Sequence, residues 1–384
     1  MVAFDYKYLP VNELQVVTKE DQKTGKQTVD HLLVHDEPLR TSERFWTSLF
    51  ARFGVSKSIF TYFDYREVFQ RISDRATNDR LRVCVERNDK SGKDQLLSVS
   101  NPASPVVLYP ELVDLLEKYD GDNINYANGI VESTHTPRVP NNFDVGGDLF
   151  SNRFVMSTPV DGYGLPATYL SMLRLICSNG MIGYAPSFKT SLKLGKGADD
   201  VRHTIGRTLD GFNNDDGYAA MRHRMEASTK SWLSVSESLG LRKILVRMHN
   251  NAQLIVSEDR ALTKAPGLSD WVQGDVQGSP VTAAFENMTG DTSRLYGLAN
   301  LDALSIKRQR TLPVKCTVYD AMNFATEVAT HYSKPEGARS LNAWVGELIS
   351  DEYDMENTKD KIGDFAEFHV SQKLAAPELT GSKN

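Results

Sequence analysis

The segment from Gly162 to Ala198 contains no Asp or Glu, while Arg174, Lys189, Lys193 and Lys196 are interleaved there with Tyr163, Tyr169, Tyr184 and Phe188. Cations that follow a phosphate chain and aromatic faces that stack bases are what a sequence-tolerant single-strand binder needs, each stack contributing about 1–3 kcal/mol. The pattern predicts a nucleic-acid contact through Arg174, Tyr184, Phe188, Lys189, Lys193 and Lys196, extended by Arg202. A plainer reading makes Leu173, Leu175 and Ile176 core and the lysines a solvated face.

A second cationic run lies between 202 and 249, where eight Lys and Arg face five acids; it includes Arg222, Arg224, Arg242, Lys243 and Arg247. An ordinary solvated helix face accounts for it. Cys177 and His203 are a thiol and a base of the types that make a nucleophilic pair. A cysteine inside Leu173 to Cys177 reads more simply as a small buried hydrophobe. Asn323, Glu327 and His331 recur every four residues and so share one helix face, as an acid–base or metal group would require. Met322, Ala325, Val328, Ala329 and Tyr332 fill the opposite, apolar side, which favours a solvent-facing polar stripe for the three. Gly195-Lys196-Gly197 lacks the remaining residues of a P-loop, and neither H-E-x-x-H nor G-x-S-x-G occurs. No metal and no cofactor is expected.

The elements that must position these residues are readable in part. Val16 to Thr18 and Gln27 to Val34, around Lys23-Thr24-Gly25-Lys26, predict a hairpin within a β-rich arm over 1–39. Thr41-Ser42-Glu43 precedes Phe45, Trp46, Leu49, Phe50 and Phe53 at helical spacing, and Gly54 ends the run. A helix over Tyr62 to Ile72, a hairpin of Leu81 to Glu86 with Leu96 to Ser100, and a helix over Glu111 to Tyr119 complete an α/β subdomain at 40–120. Residues 121–148 include the Asn-, Gly-, Pro- and Thr-rich run Gly121 to Pro140 and predict a loop or linker. A main subdomain at 149–345 holds a strand over Leu149 to Thr158, an apolar segment over Tyr169 to Cys177 and helices over Ala219 to Leu239 and Thr317 to Tyr332. Strands that arrive as hairpins predict an α+β fold with a mostly antiparallel central sheet flanked by helices.

Composition bounds the remaining classes. The 384 residues are 40% hydrophobic, enough for a substantial core, and 44 Lys and Arg against 50 Asp and Glu leave a formal charge of −6. That balance does not announce a nucleic-acid binder, which usually carries a net basic footprint. Residues 350–384, with eight acids against four lysines, predict a solvated acidic tail. The three separated cysteines, Cys84, Cys177 and Cys316, argue against a disulfide framework and fit a reducing cytoplasm. Met1 to Pro10 has no export-signal pattern, and no window has the apolar length of a membrane span.

Three motifs resemble one family. Leu173-Arg174-Leu175-Ile176-Cys177-Ser178-Asn179-Gly180-Met181, then Val201-Arg202-His203-Thr204, then Tyr319-Asp320-Ala321-Met322-Asn323 with Glu327, look like the phage- and plasmid-associated family catalogued as domain of unknown function 932. The likeness covers roughly residues 40 to 335. It implies a polar cluster of Arg174, Cys177, Asn179, His203, Asn323 and Glu327. It also implies a phage or plasmid protein in a bacterial host cytoplasm, but brings no settled activity. The expected function is non-sequence-specific single-stranded DNA binding or annealing in replication or recombination, by a homo-oligomer working beside phage or plasmid replication and recombination proteins. The alternatives are an enzyme acting on a nucleotide or nucleic acid through Arg174, Asn179 and His203, and a phage structural or assembly protein.

Overall fold

The computed structural model describes residues 2–20, 27–76, 78–88, 94–175, 179–182, 188–195, 197–255, 280–290, 296, 301–350, 353 and 355. Its sheets are dominated by antiparallel pairs and accompanied by helices, an α+β fold. The chain divides into two compact units. One takes Met1–His135, Met156–Ala167 and Ser191–Asp210, the other Thr136–Val155, Thr168–Thr190 and Gly211–Asn384.

In the first unit β1 (Val2–Pro10), β2 (Gln15–Glu20), β3 (Gln27–Val34) and β4 (Glu37–Thr41) lead into helix α1 (Glu43–Phe53). The Ser42 hydroxyl accepts from the Phe45 amide at 3.0 Å, and Gly54 closes α1 in the left-handed region at φ 64°. This is the cap and stop that the residue types predict. Helix α2 (Tyr65–Arg75) starts three residues later than the apolar spacing suggests, because Asp64 accepts from the Glu67 amide and so sets the N-cap. Strands β5 (Arg80–Asn88) and β6 (Gln95–Ser100) pair antiparallel, as expected. The sheet order is β1-β5-β6-β4-β3-β2, antiparallel except for β4 beside β6.

The N-terminal strands are therefore no separate arm. β1 pairs with β5 from Val2↔Asn88 to Pro10↔Arg80, and Leu9, Leu32, Val34 and Leu39 share one core with Phe45, Leu81, Val83 and Leu96. Asp161 is buried in this unit. Its carboxylate accepts from Arg44 Nε at 2.5 Å and Nη2 at 2.9 Å. Arg87 and Lys7 both donate to Glu37 and hold its carboxyl well below the ordinary range, down to about 2.

After helix α3 (Tyr109–Lys118) the region expected to be a linker folds into strands: β7 (Asp122–Ala127), β8 (Ile130–His135) and β9 (Asn142–Val145). Asn128 and Gly129, at φ 46° and 79°, make the two-residue turn between β7 and β8, the turn whose twist matches a hairpin.

In the second unit β9 pairs with β10 (Asp148–Pro159) across Gly146-Gly147, and β11 (Ala167–Arg174) pairs with β12 (Asn179–Ile182). The chain enters β13 (Lys189–Ser191), returns to the first unit for helix α4 (Ala198–Gly211), and then forms α5 (Asp215–Ser228). The helix predicted over 219–239 is broken. The Ser228, Thr229 and Ser231 hydroxyls donate to the carbonyls of Met225, Glu226 and Ala227 and so finish α5. Trp232–Ser234 becomes strand β14, and α6 (Val235–Asn250) begins at once. Helices α7 (Pro280–Thr289) and α8 (Ile306–Thr311), strand β15 (Pro313–Thr317), and helices α9 (Val318–His331) and α10 (Pro335–Ile349) complete the unit. β15 pairs antiparallel with β14.

Tyr353 and Met355 lie partly buried against this unit's core, so the first residues of the acidic segment pack; the rest of that segment lies outside the described residues. Among the described residues no helix is long and apolar enough to cross a membrane.

His135 gives the first unit a pH dependence. It is buried; its Nδ1 lies 3.1 Å from the Tyr119 carbonyl, which can only accept, and its Nε2 lies 2.7 Å from the Ser133 hydroxyl. Nδ1 must carry the proton, and burial lowers the ring's pKa from the ordinary 6.5. Below about pH 6.5 the unfolded chain takes up a proton that the folded ring resists, so stability falls from there downward. Urea midpoints at pH 7.5 and 5.0 test this. The gap between them should shrink in His135→Asn, and an unchanged gap refutes the assignment.

Candidate nucleic-acid interface

Leu239, Arg242, Lys243, Val246, Arg247 and Asn250 follow one another on α6 at steps of three and one, which places all six on a single helix face. The other face carries Ser238, Leu241, Leu245 and Met248, which are buried. With Asn251 and Asp302, the first six line a cleft of about 360 Å³. Arg242, Lys243 and Arg247 are exposed, and Val246 is 42% exposed between them. Lys243 reaches Asp302 at 3.2 Å; among the described residues Arg242 and Arg247 have no ion-pair partner. The cleft therefore combines unneutralised positive charge with apolar side chains at Leu239 and Val246, a surface suited to a phosphate-bearing ligand.

The cations of α5 are engaged within the protein. Arg222 pairs with Glu226 at 2.9 Å and lies over the Phe143 ring, and Arg224 donates to the carbonyls of Leu348 and Tyr353. The acid-free stretch is divided in the same way. Phe188, expected to stack on a base, is 5% exposed and belongs to the second unit's core, the cluster that also holds Leu170 and Met172. Arg174 is ion-paired with Asp148, and Arg202 with Glu111 and Asp199. Lys189 and Lys193 are exposed; Lys189 sits 5.7 Å from the Tyr169 ring centroid in the second unit, whereas Lys193 belongs to the first. Tyr184 and Lys196 lie outside the described residues.

Part of the expected polar cluster does assemble. Arg174 Nη2 lies 2.6 Å from Asp148 Oδ1, and the Tyr319 hydroxyl lies 2.6 Å from Asp148 Oδ2 and 3.0 Å from the Val145 carbonyl. Asn323, one turn further along α9, lies close to the same hydroxyl. Burial, then the neighbouring Asp148 carboxylate, push the Tyr319 phenol far above its ordinary pKa. At neutral pH it is a hydrogen-bond donor and no proton shuttle. Asp148 joins the motif residues into one group, and the motif pattern did not include it. Asn179 faces Arg174 in the β11–β12 register, and Cys177 lies outside the described residues.

His203 stands exposed on α4, in the first unit, while Arg174 belongs to the second. Glu327 is 3% exposed, so the Asn323-Glu327-His331 face is not the solvent-facing stripe that the helical wheel suggests: Asn323 is half-buried and only His331 is open. Helix α10 packs along α9. Among the described residues no three His, Cys, Asp or Glu side chains gather as metal ligands.

No family model, curated protein or solved structure matches the chain.

Two substitutions test these assignments. Tyr319→Phe should cost about 1–3 kcal/mol in urea unfolding, since it leaves the Val145 carbonyl and a carboxylate oxygen without their donor. An unchanged midpoint would show that the Tyr319 bonds carry no weight. Beside the cleft, α6 ends with Ala252 in the left-handed region at φ 50°, the Gln253 amide bonding back to the Met248 carbonyl at 2.8 Å. Glycine is the residue that adopts this helix-end conformation without strain. Ala252→Gly should raise stability by about 1 kcal/mol, and a lowered melting temperature contradicts the strain.

Proposed function

We propose that this chain binds the phosphate backbone of single-stranded nucleic acid along the cationic face of α6. The observation that carries this reading is the cleft of about 360 Å³, lined by Arg242, Lys243 and Arg247 with Leu239 and Val246 and, among the described residues, one acid, Asp302. Phosphates supply the missing negative charge, and apolar side chains between cations accept the faces of unstacked bases. A strand suits an exposed helix face because its bases need no groove geometry, and the formal charge of −6 makes a local cationic face the place where a polyanion is least opposed. The reading needs no bond chemistry and no cofactor.

The likeness to the phage- and plasmid-associated family would place such binding in replication or recombination, in a bacterial host cytoplasm, beside the proteins of those processes. Self-association would then let successive copies cover one strand. The acid-free stretch has a secondary part in this proposal, since Phe188 is core and Arg174 and Arg202 are already paired.

Fluorescence anisotropy with a labelled 20-nucleotide single strand, from about 50 to 200 mM salt, tests the proposal. Replacing Arg242, Lys243 and Arg247 together with Ala should reduce the slope of log affinity against log salt by about 2, from about 0.7 per phosphate contact. Lys189→Ala with Lys193→Ala should change it less. No measurable affinity at about 50 mM salt refutes the proposal, and an unaltered slope in the α6 triple variant moves the site elsewhere.

A further inference from the structure

The six-stranded sheet of the first unit has two outer strands, β1 and β2, and they are unlike. β2 carries a register shift between Val17 and Thr18 where it meets β3, an irregularity that blunts an edge against further pairing. β1 pairs with β5 through nine consecutive residues, Val2 to Pro10, without any shift. Among the described residues no strand and no other backbone hydrogen bond reaches its far side. Ala3 is exposed along it, and Tyr8 is 48% exposed. A long, regular and unpaired edge is a template for another extended chain.

The charges of β1 select that chain. Asp5 and Lys7 share one face of the strand and flank Tyr6, the middle residue of the nine. Two copies of β1 running antiparallel and centred on Tyr6 pair along their whole length, and this register sets Asp5 opposite the partner's Lys7 and Lys7 opposite the partner's Asp5. Centring the pair on Asp5 or on Lys7 instead places like charges face to face. Opposed side chains in such a ladder have Cβ atoms about 4.5–5.5 Å apart, close enough for an ion pair. Each group can take a second partner: Lys7 donates to Glu37 but carries three donor hydrogens, and Asp5, reached by Arg87 at 3.1 Å, is 45% exposed and accepts several bonds. Pro10, which has no amide hydrogen, stands at the last rung and weakens only the end of the ladder. We infer that two copies of this chain dimerise edge to edge through β1, antiparallel about Tyr6, and so join their sheets into one. The interface is isologous and closes at two copies. It needs no nucleic acid and is independent of the α6 face.

Sedimentation velocity of the full chain without nucleic acid, from about 1 to 100 μM protein at about 50 mM salt, reads the association. The expected result is a concentration-dependent transition to twice the mass of the chain. Asp5→Lys alone sets cations against each other at both pairs, and Lys7→Glu alone sets acids against each other. Each should raise the dissociation constant about tenfold or more. An equimolar mixture of the two variants restores opposite charges at both pairs and should dimerise about as tightly as the unaltered chain. Circular dichroism establishes that the variants are folded. Hydrogen exchange on the unaltered chain needs neither variant: amides of Val2 to Pro10 should exchange more slowly above the transition than below it. A chain that stays monomeric at every concentration overturns the inference. So does a dimer whose β1 amides exchange unchanged, one that both single variants leave intact, or a mixture that associates no more tightly than its components.

Discussion

The second unit is organised around a helix that has almost no outside. Ten of the residues of α9, from Val318 to Ala329, are buried, including the polar Thr326 and Glu327. A helix enclosed on nearly every side must satisfy its polar groups within the protein, since each buried one left unmade costs about 1–3 kcal/mol. Thr317 and Asp320 close its start in a reciprocal capping box. Tyr319, one position earlier, reaches the carboxylate of Asp148 and the carbonyl of Val145, and Asp148 in turn holds Arg174. The same ring sets the adjoining turn: a Cβ on Gly146, at φ 64°, would come within 3.2 Å of it. Residues that look like a site in sequence, Arg174, Tyr319 and Asn323, are thus brought together by the demands of a buried helix.

Where a pattern and its punctuation agree, the residues specify the element. Ser42 and Gly54 bracket α1, and the alternation of Leu81 to Glu86 with Leu96 to Ser100 yields a hairpin in register. Residues 121–148 are harder because strands such as Asp122–Ala127 and Asn142–Val145 are short and polar, and offer little hydrophobic alternation. Their turns were nevertheless legible: Asn128-Gly129 and Gly146-Gly147 are dipeptides that tolerate two positive φ values in succession. Turn chemistry carried information there that hydrophobicity did not.

The departure nearest the candidate interface has a physical cause. Met221, Met225 and Val235 keep a helical spacing through the α5–β14–α6 break, because residues on both sides of it enter the same core. Periodicity records burial, and it does not distinguish one helix from two that bury their stripes together. Running one helix to Leu239 hid the true α6, and with it the register that puts Arg242, Lys243 and Arg247 on one face. Glu327 is the converse case. A helical wheel separates polar from apolar residues, but whether a later segment such as α10 covers the polar side is decided by tertiary packing.

Cations near the end of a helix have an ordinary explanation that must be weighed against a ligand. The partial negative charge at a helix C-terminus favours Lys, Arg and protonated His by about 0.3–1 kcal/mol each, and the effect fades beyond the last turn. Arg247 and His249 lie in that last turn and fit the explanation. Arg242 and Lys243 stand eight and seven residues before Asn250, about two turns inward, where the dipole gives them little. Neither is needed by the core, since the buried stripe of α6 is Ser238, Leu241, Leu245 and Met248. Lys243 has only an exposed pair with Asp302, and Arg242 has no ion-pair partner among the described residues. Two adjacent cations placed mid-helix, facing solvent beside an exposed Val246, bring mutual repulsion and little stability. An anion that binds between them removes the repulsion, which makes the inner half of this face, rather than its end, the part that points to a ligand.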